Sequence, residues 1–216
     1  MINWEKIHTV LLDMDGTLLD LHYDNYFWLH YVPKVYSDTF SVDPDEAMRL
    51  LHRRFEQKRG TMAWYCLDFW SDELQLDIAG LKRDIASKIA VRPHVEAFLA
   101  ALQRSDRQVL LVTNAHRASL DLKMAKTGLG SYFDAMISTH DYGVPKEDAT
   151  LWEVLKADFH FDPATTLLVD DTESVLASAQ SFGIAHLLIM KQPDSTQPAR
   201  ENLRFPAALH FDEVMP

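Results

Sequence analysis

The chain has 216 residues, 47% of them apolar, and sets 21 Lys and Arg against 32 Asp and Glu for a formal charge of −11. That length accommodates one domain, or one domain with a sizeable insertion, and the composition is that of a folded protein rather than a disordered one. The acidic balance excludes a general nucleic-acid or anionic-membrane binder, the single cysteine, Cys66, excludes an intramolecular disulfide or a thiolate metal site, and no apolar stretch is long enough to span a bilayer.

Glu5 and Lys6 precede the first apolar run and Asp13 ends it, so the N-terminus carries no secretory pattern and the chain is expected to be soluble and cytoplasmic. That run, Thr9-Val10-Leu11-Leu12, is too short for a helix and suits a buried strand. It stops at Asp13-Met14-Asp15-Gly16-Thr17. Two carboxylates spaced i and i+2 sit at a strand tip, and Gly16 permits a sharp turn beyond them. Asp and Gly are also ordinary turn residues. Two carboxylates at this end of a strand in an open α/β sheet, where such sheets bind their ligands, would hold a hard cation. They would equally divide nucleophilic and acid/base roles between them.

Residues 21–91 hold 12 of the 23 aromatic residues, and they read as helical. Asp43-Pro44-Asp45-Glu46 is a helix start, with Asp43 as N-cap, and Ala47, Leu50, Leu51 and Phe55 form one apolar stripe closed by Gly60. Two more helices are expected, over about Met62 to Leu74 and about Ile78 to Ala90. With no convincing strand among them, these residues form a helical insertion. Arg49, Arg53, Arg54, Lys58 and Arg59 make a basic run, which is either a solvated face or an attraction for a phosphorylated ligand.

After Arg92-Pro93 the pattern alternates. Val95, Phe98, Leu99 and Leu102 have helical spacing, and Gln108 to Thr113 reads as a strand ending in Thr113-Asn114. Residues 116–128 are helical, and Ala135 to Ser138 is a weaker strand. A helix is expected from about Lys146 to Asp158. Thr166 to Val169 is a strand ending in Asp170-Asp171, the next helix closes at Gly183, and His186 to Met190 is a fifth strand. The last 26 residues are polar and proline-dotted, and are expected to wrap the surface. Alternating strands and helices imply an α/β fold with a parallel sheet covered on both faces.

Parallel strands put their C-termini on one edge, so Asp13/Asp15, Thr113/Asn114 and Asp170/Asp171 converge in one crevice. Two carboxylates at about 4 Å repel by roughly 4 kcal/mol at an effective dielectric of 20, so four of them call for a cation. With no Cys or His cluster at hand, that cation should be a hard one held by oxygens. Lys146, expected at a helix start, adds a positive charge where only an anion would favour one. Such a site suits a phosphoryl group, with Thr113 and Asn114 donating to its oxygens. One aspartate would attack phosphorus and the other would exchange protons with the leaving oxygen and with water.

In this order the motifs resemble the haloacid-dehalogenase-like phosphatases: Asp13-x-Asp15-x-Thr17 as first signature, Thr113 as second, Lys146 as third and Asp170-Asp171 as fourth. The resemblance implies a Rossmann-like three-layer α/β core with a five-stranded sheet in the order 5-4-1-2-3. Residues 1–20 and 92–216 would form the core and residues 21–91 an inserted helical cap. It also implies Asp13 as nucleophile, Asp15 as acid/base, and Mg²⁺ held by Asp13, the backbone carbonyl of Asp15, and Asp171 with help from Asp170. Dehalogenases of the family lack the second aspartate, so Asp15 argues for phosphoryl transfer.

The strings Leu111-Val112-Thr113-Asn114-Ala115-His116, Gly143-Val144-Pro145-Lys146-Glu147 and Asp24-Asn25-Tyr26-Phe27-Trp28 further resemble the bacterial GMP/IMP nucleotidase subgroup. That implies purine 5′-mononucleotides as substrates, with cap aromatics available to stack on the base. The alternatives are a phosphatase for another small ester, such as phosphoglycolate or a sugar phosphate, or a phosphosugar mutase. A monomer or small homo-oligomer is expected.

Overall fold

The structure, a computed structural model, describes residues 2–216. Six parallel strands form one sheet: β1 (Thr9–Leu12), β2 (Gln108–Thr113), β3 (Ala135–Ser138), β4 (Thr166–Asp170), β5 (His186–Met190) and β6 (Ala207–Ala208), in the order β3-β2-β1-β4-β5-β6. β1 lies at the centre, pairing Leu12 with Leu111 on one side and with Val169 on the other. All four of its side chains are buried, as a strand covered on both faces requires.

Val10 and Leu12 pack on one face against helices α7 (Val95–Gln103) and α8 (Arg117–Thr127). Leu11 packs on the other against α9 (Ala149–Phe159) and α10 (Glu173–Phe182). This is the three-layer α/β arrangement expected, with one strand more than the five read from sequence. The extra strand is two alanines long, too short and too weakly patterned to show in a sequence. It pairs Ile189 with Ala207 and Met190 with Ala208. The C-terminal segment therefore builds the fold rather than merely wrapping it: Phe211 is fully buried with its ring centroid 4.4 Å from that of Phe98.

Between Leu21 and Ile89 the chain is helical, with no strand. His22 to Phe40 runs as α1 (His22–Tyr26), a π-helical stretch (Phe27–Tyr31) and α2 (Val32–Phe40). Pro33 has no N–H for the carbonyl four residues back, and the helix is widened just before it. α3 (Pro44–Lys58) starts where its capping residues predict: Asp43 accepts from the N–H groups of Asp45 and Glu46 at 3.0 and 3.1 Å.

The helix expected over 62–74 is two, α4 (Met62–Tyr65) and α5 (Leu67–Leu74). Extended backbone at Cys66 breaks it, and the Cys66 thiol then caps α5 by accepting from the Phe69 N–H. The third expected helix is shorter, ending at Asp84 as α6 (Ile78–Asp84) before a tight turn over Ala86–Lys88. Most of the aromatics serve this segment's own core. The Phe55 and Trp70 rings meet edge to face at 5.0 Å, and Trp28 and Trp64 pack against both.

Two connections join the segment to the sheet, and they lie side by side. The Asp20 N–H donates to the Ala90 carbonyl at 2.9 Å, and the Arg92 N–H donates to the Leu18 carbonyl at 3.0 Å. Asp20 uses its carboxylate here to hold the N–H groups of His22 and Ser195. Among the described residues no helix is long and apolar enough to cross a membrane.

Candidate active site

β1 delivers Asp13 to the C-terminal edge of the sheet, where its N–H is fixed on the Val169 carbonyl at 3.0 Å. β4 delivers Asp170 beside it. Carboxylate oxygens of Asp13, Asp170 and Asp171 lie within 4.8 Å of one another. Lys146 bridges two of them, its Nζ 2.5 Å from Asp13 Oδ1 and 2.7 Å from Asp170 Oδ2. Gly16 permits this crowding in two ways. It adopts φ +85°, and a Cβ there would come within 2.8 Å of the Asp171 carboxyl and of Pro193.

Lys146 is not at a helix start. α9 begins at Ala149, because Asp148 accepts from the Thr150 N–H at 2.9 Å and caps it. Lys146 sits in the loop before, held by its backbone: its N–H donates to Asn114 Oδ1 at 2.9 Å. The same oxygen accepts from the Thr139 hydroxyl, while Asn114 Nδ2 donates to Glu147 Oε2 at 2.9 Å. Asn114 thus clamps the lysine loop through Oδ1, and its amide has a second N–H beyond the one given to Glu147. Thr113 lies beside it, its Oγ1 accepting from the Ala115 N–H at 3.0 Å, which leaves the hydroxyl proton to donate elsewhere.

Charge is out of balance here. Burial, with Asp170 adding repulsion and Lys146 only partly offsetting it, pushes the Asp13 carboxyl up to about 6. Burial, then Asp170 and Asp13, push Asp171 well above the carboxylate range. Burial alone would lower Lys146, but Asp13 and Asp170 reverse this and hold its ammonium above its usual value. Asp13 Oδ2 is buried without a hydrogen-bond partner among the described residues. Three carboxylates, one ammonium and an orphaned oxygen fit an all-oxygen site for a hard divalent cation.

Asp15 points another way. Its Oδ1 lies 2.7 Å from Nζ of Lys123, on α8, and outside the carboxylate cluster. Burial, then Asp24, push its carboxyl up to about 6 against the pull of Lys123. Lys123 also donates to Asp24 Oδ2 at 2.6 Å, and Lys82 donates to Asp24 Oδ1 at 2.6 Å. Sequence reading gave neither lysine a role. The signal was a cation inside an apolar stripe: Ile78-Lys82-Ile85 and Leu120-Lys123-Met124 are core positions by spacing.

Asp13, Asp15, Asp24, Lys82, Asn114 and Lys146 line a cavity of ≈ 480 Å³ together with Leu21, Trp28, Leu29, Trp64 and Tyr65. Tyr65 spans the cavity's edge, its hydroxyl donating to Glu147 Oε1 at 2.9 Å. Of the basic run on α3 and beyond, Arg59 alone reaches the lining. His116 lines it too, with Nδ1 accepting from the Ala118 N–H and Nε2 3.5 Å from Asp68. Cys66, His116 and His140 also gather within 4.8 Å, but Cys66 and His116 already spend donor atoms on capping α5 and α8.

A family model described as haloacid dehalogenase-like hydrolase matches residues 7–183. The chain is 39% identical over 215 residues to the GMP/IMP nucleotidase YrfG of Escherichia coli strain K12, covering all of this chain and 97% of that protein. It is 24% identical over 162 residues to the pyrimidine 5′-nucleotidase YjjG of the same organism, covering 70% of this chain and 66% of that one. Among solved structures, a haloacid dehalogenase-like (HAD) phosphatase from Thermococcus onnurineus superposes with a TM-score of 0.81 at 22% identity, over 96% of this chain and 95% of that one.

Proposed function

The chain belongs to the haloacid dehalogenase-like hydrolases, and on that premise we propose that it hydrolyses purine 5′-mononucleotides, GMP and IMP, to nucleoside and phosphate. The observation that carries the reading is Lys146 held between Asp13 and Asp170 in a cavity that Trp28, Trp64 and Tyr65 also line. The carboxylates and lysine suit a phosphoryl group, and the aromatic rings would offer a surface for a flat base. The full-length similarity to a GMP/IMP nucleotidase agrees.

Asp13 supplies the attacking oxygen. Its P–O bond forms as the phosphorus–ester bond breaks, giving an aspartyl phosphate. Asp15, pushed up to about 6 and so able to carry a proton near neutrality, gives it to the leaving alkoxide. It then takes a proton from the water that attacks phosphorus, which restores Asp13 and releases phosphate. Lys146 and the Thr113 hydroxyl hold the phosphoryl oxygens. Mg²⁺, held by Asp13, Asp170, Asp171 and the Asp15 carbonyl, would supply charge neutralisation on the phosphoryl group. In this reading residues 1–20 and 92–216 are the catalytic core and residues 21–91 the cap that closes over substrate in a cytoplasmic enzyme.

The test is phosphate release from GMP, IMP, AMP, UMP, phosphoglycolate and sugar phosphates, each with Mg²⁺ and with EDTA. Mg²⁺-dependent release concentrated on GMP and IMP is expected, and Asp13→Asn should abolish it. Preference for phosphoglycolate or a sugar phosphate would keep the chemistry and overturn the substrate. Sugar-phosphate interconversion would indicate a mutase, and no release from any would overturn the enzyme reading.

A further inference from the structure

Four charges alternate in a buried row: Asp15, Lys123, Asp24, Lys82. Lys123 Nζ lies 2.7 Å from Asp15 and 2.6 Å from Asp24, and Lys82 Nζ lies 2.6 Å from the other Asp24 oxygen. The lysine side chains are 1% and 3% exposed. Tyr23 lies against both ammonium groups, its ring centroid 5.2 Å from Lys123 Nζ and 5.0 Å from Lys82 Nζ, and its hydroxyl donates to the Lys82 carbonyl at 2.8 Å.

The row crosses from one part of the chain to the other. Asp15 follows β1 and Lys123 is on α8, both outside residues 21–91. Asp24 is on α1 and Lys82 on α6, both within them. The well-angled hydrogen bond of Lys123 goes to Asp24. Asp15 Oδ1 accepts no hydrogen bond of good angle among the described residues and has the Lys123 ammonium as the charge that faces it. The place of Lys123 is therefore set by the helical segment, and the place of Asp15 by Lys123. A buried ion pair is weak evidence for stability and better evidence for a fixed geometry.

We propose that Lys123 is a positioning residue that orients the Asp15 carboxyl toward the leaving oxygen when α1 and α6 are seated on the core. This rests on the phosphatase reading above. When α1 is seated, Asp24 holds the ammonium midway and Asp15 keeps one orientation. When α1 moves off, Lys123 loses Asp24 and collapses onto Asp15, so proton delivery waits for closure.

The test separates proton delivery from general damage. Lys123→Met in the full-length chain with Mg²⁺ is compared with wild type by rapid mixing, using GMP and p-nitrophenyl phosphate. The nitrophenolate leaving group needs no proton, whereas a nucleoside alkoxide does. The GMP cleavage step should fall by about 100-fold, while the nitrophenolate burst keeps its rate within about threefold before a slow second phase. In an Asp15→Asn background the same substitution should cost less than about twofold, since it acts through Asp15.

Equal losses in the first step of both substrates, or additive losses with Asp15→Asn, would overturn the proposal. If circular dichroism shows Lys123→Met unfolded, Asp24→Asn keeps the shape of the row. It should slow GMP cleavage about tenfold and spare the burst, and an unchanged GMP step would overturn the proposal. Wild type inert on both substrates would instead sink the phosphatase reading.

Discussion

Two buried lysines in this molecule look alike and are not. Lys146 and Lys123 are each almost fully buried and each faces two carboxylates at 2.7 Å or less. The partners of Lys146, Asp13 and Asp170, stand at the C-terminal ends of adjacent strands of one sheet, and its own backbone is clamped by Asn114. The partners of Lys123 lie on opposite sides of a junction, Asp15 after β1 and Asp24 on α1. The charge counts differ as well. Around Lys146, three carboxylates meet one ammonium, and burial followed by mutual repulsion drives Asp13 and Asp171 upward. Around Lys123, two carboxylates meet two ammonium groups; Asp24, which both lysines contact, is held down to about 2, while Asp15, which only Lys123 contacts, is still pushed up to about 6 by burial and by Asp24. An unbalanced buried cluster has room for a ligand cation and an anion to complete it. A balanced one is already complete, and what it provides is geometry.

The largest break in that comparison is Lys146→Met. It removes the one ammonium from the unbalanced cluster, so steady-state kcat on a nucleotide should fall by about 10²–10³-fold. It also leaves buried carboxylates unpaired, a loss on the order of 3–5 kcal/mol when one partner of a buried pair is removed. Thermal melts with and without Mg²⁺ check the contrast. The cation should restore most of the Tm lost in Lys146→Met and little of that lost in Lys123→Met. Equal rescue of both would erase the distinction between the clusters.

How legible was this from sequence? The sheet was, because Leu11-Leu12, Leu110-Leu111 and Leu168-Val169 are uninterrupted apolar runs that end in polar residues, the pattern of buried parallel strands. The gathering of Asp13, Asp170 and Lys146 followed, since strand ends share an edge whatever the loop details. What escaped were features set by long-range partners. Periodicity puts Lys123 on the inner face of α8 but cannot say that a carboxylate 99 residues earlier meets it. Asn114 reads as a phosphate donor by its type and place; only the fold shows that it also holds the Lys146 loop, through Oδ1 and one amide N–H. The start of α9 was misplaced by three residues because Pro145 is a helix-start signal that Asp148, a stronger cap, overrides. The break at Cys66 has no Gly or Pro to announce it.

A smaller break touches the edge of the cavity. Tyr65→Phe deletes the hydroxyl that joins α4 to Glu147, next to Lys146. Burial and the nearby Glu147 carboxylate raise the Tyr65 phenol above its usual range, so it is a neutral donor at every working pH. One such hydrogen bond contributes about 0.5–1.5 kcal/mol, so KM should rise about two- to tenfold with kcat little changed. A fall in kcat with unchanged KM would show that the contact serves the chemistry of Lys146 rather than closure.

The finest test of the balanced row is its acid limb. Burial alone would raise the Asp24 carboxyl; Lys123 and Lys82 outweigh burial and lower it from 3.8 to about 2. A carboxyl depressed in the folded state contributes stability above its unfolded pKa and loses it as pH falls toward the folded one. That lowering corresponds to about 2.5 kcal/mol at neutrality, most of it still present near pH 4. Asp24→Asn lacks this contribution at every pH. The stability gap between wild type and Asp24→Asn, from urea unfolding, should therefore narrow by about 1.5 kcal/mol between about pH 4 and about pH 2.5. In that window Asp13, pushed up to about 6 by causes that do not include Asp24, is protonated and drops out of the difference. A gap that stays constant would mean that Asp24 is not held ionised between the two lysines, and the row would then be a packing contact rather than a charge-balanced joint.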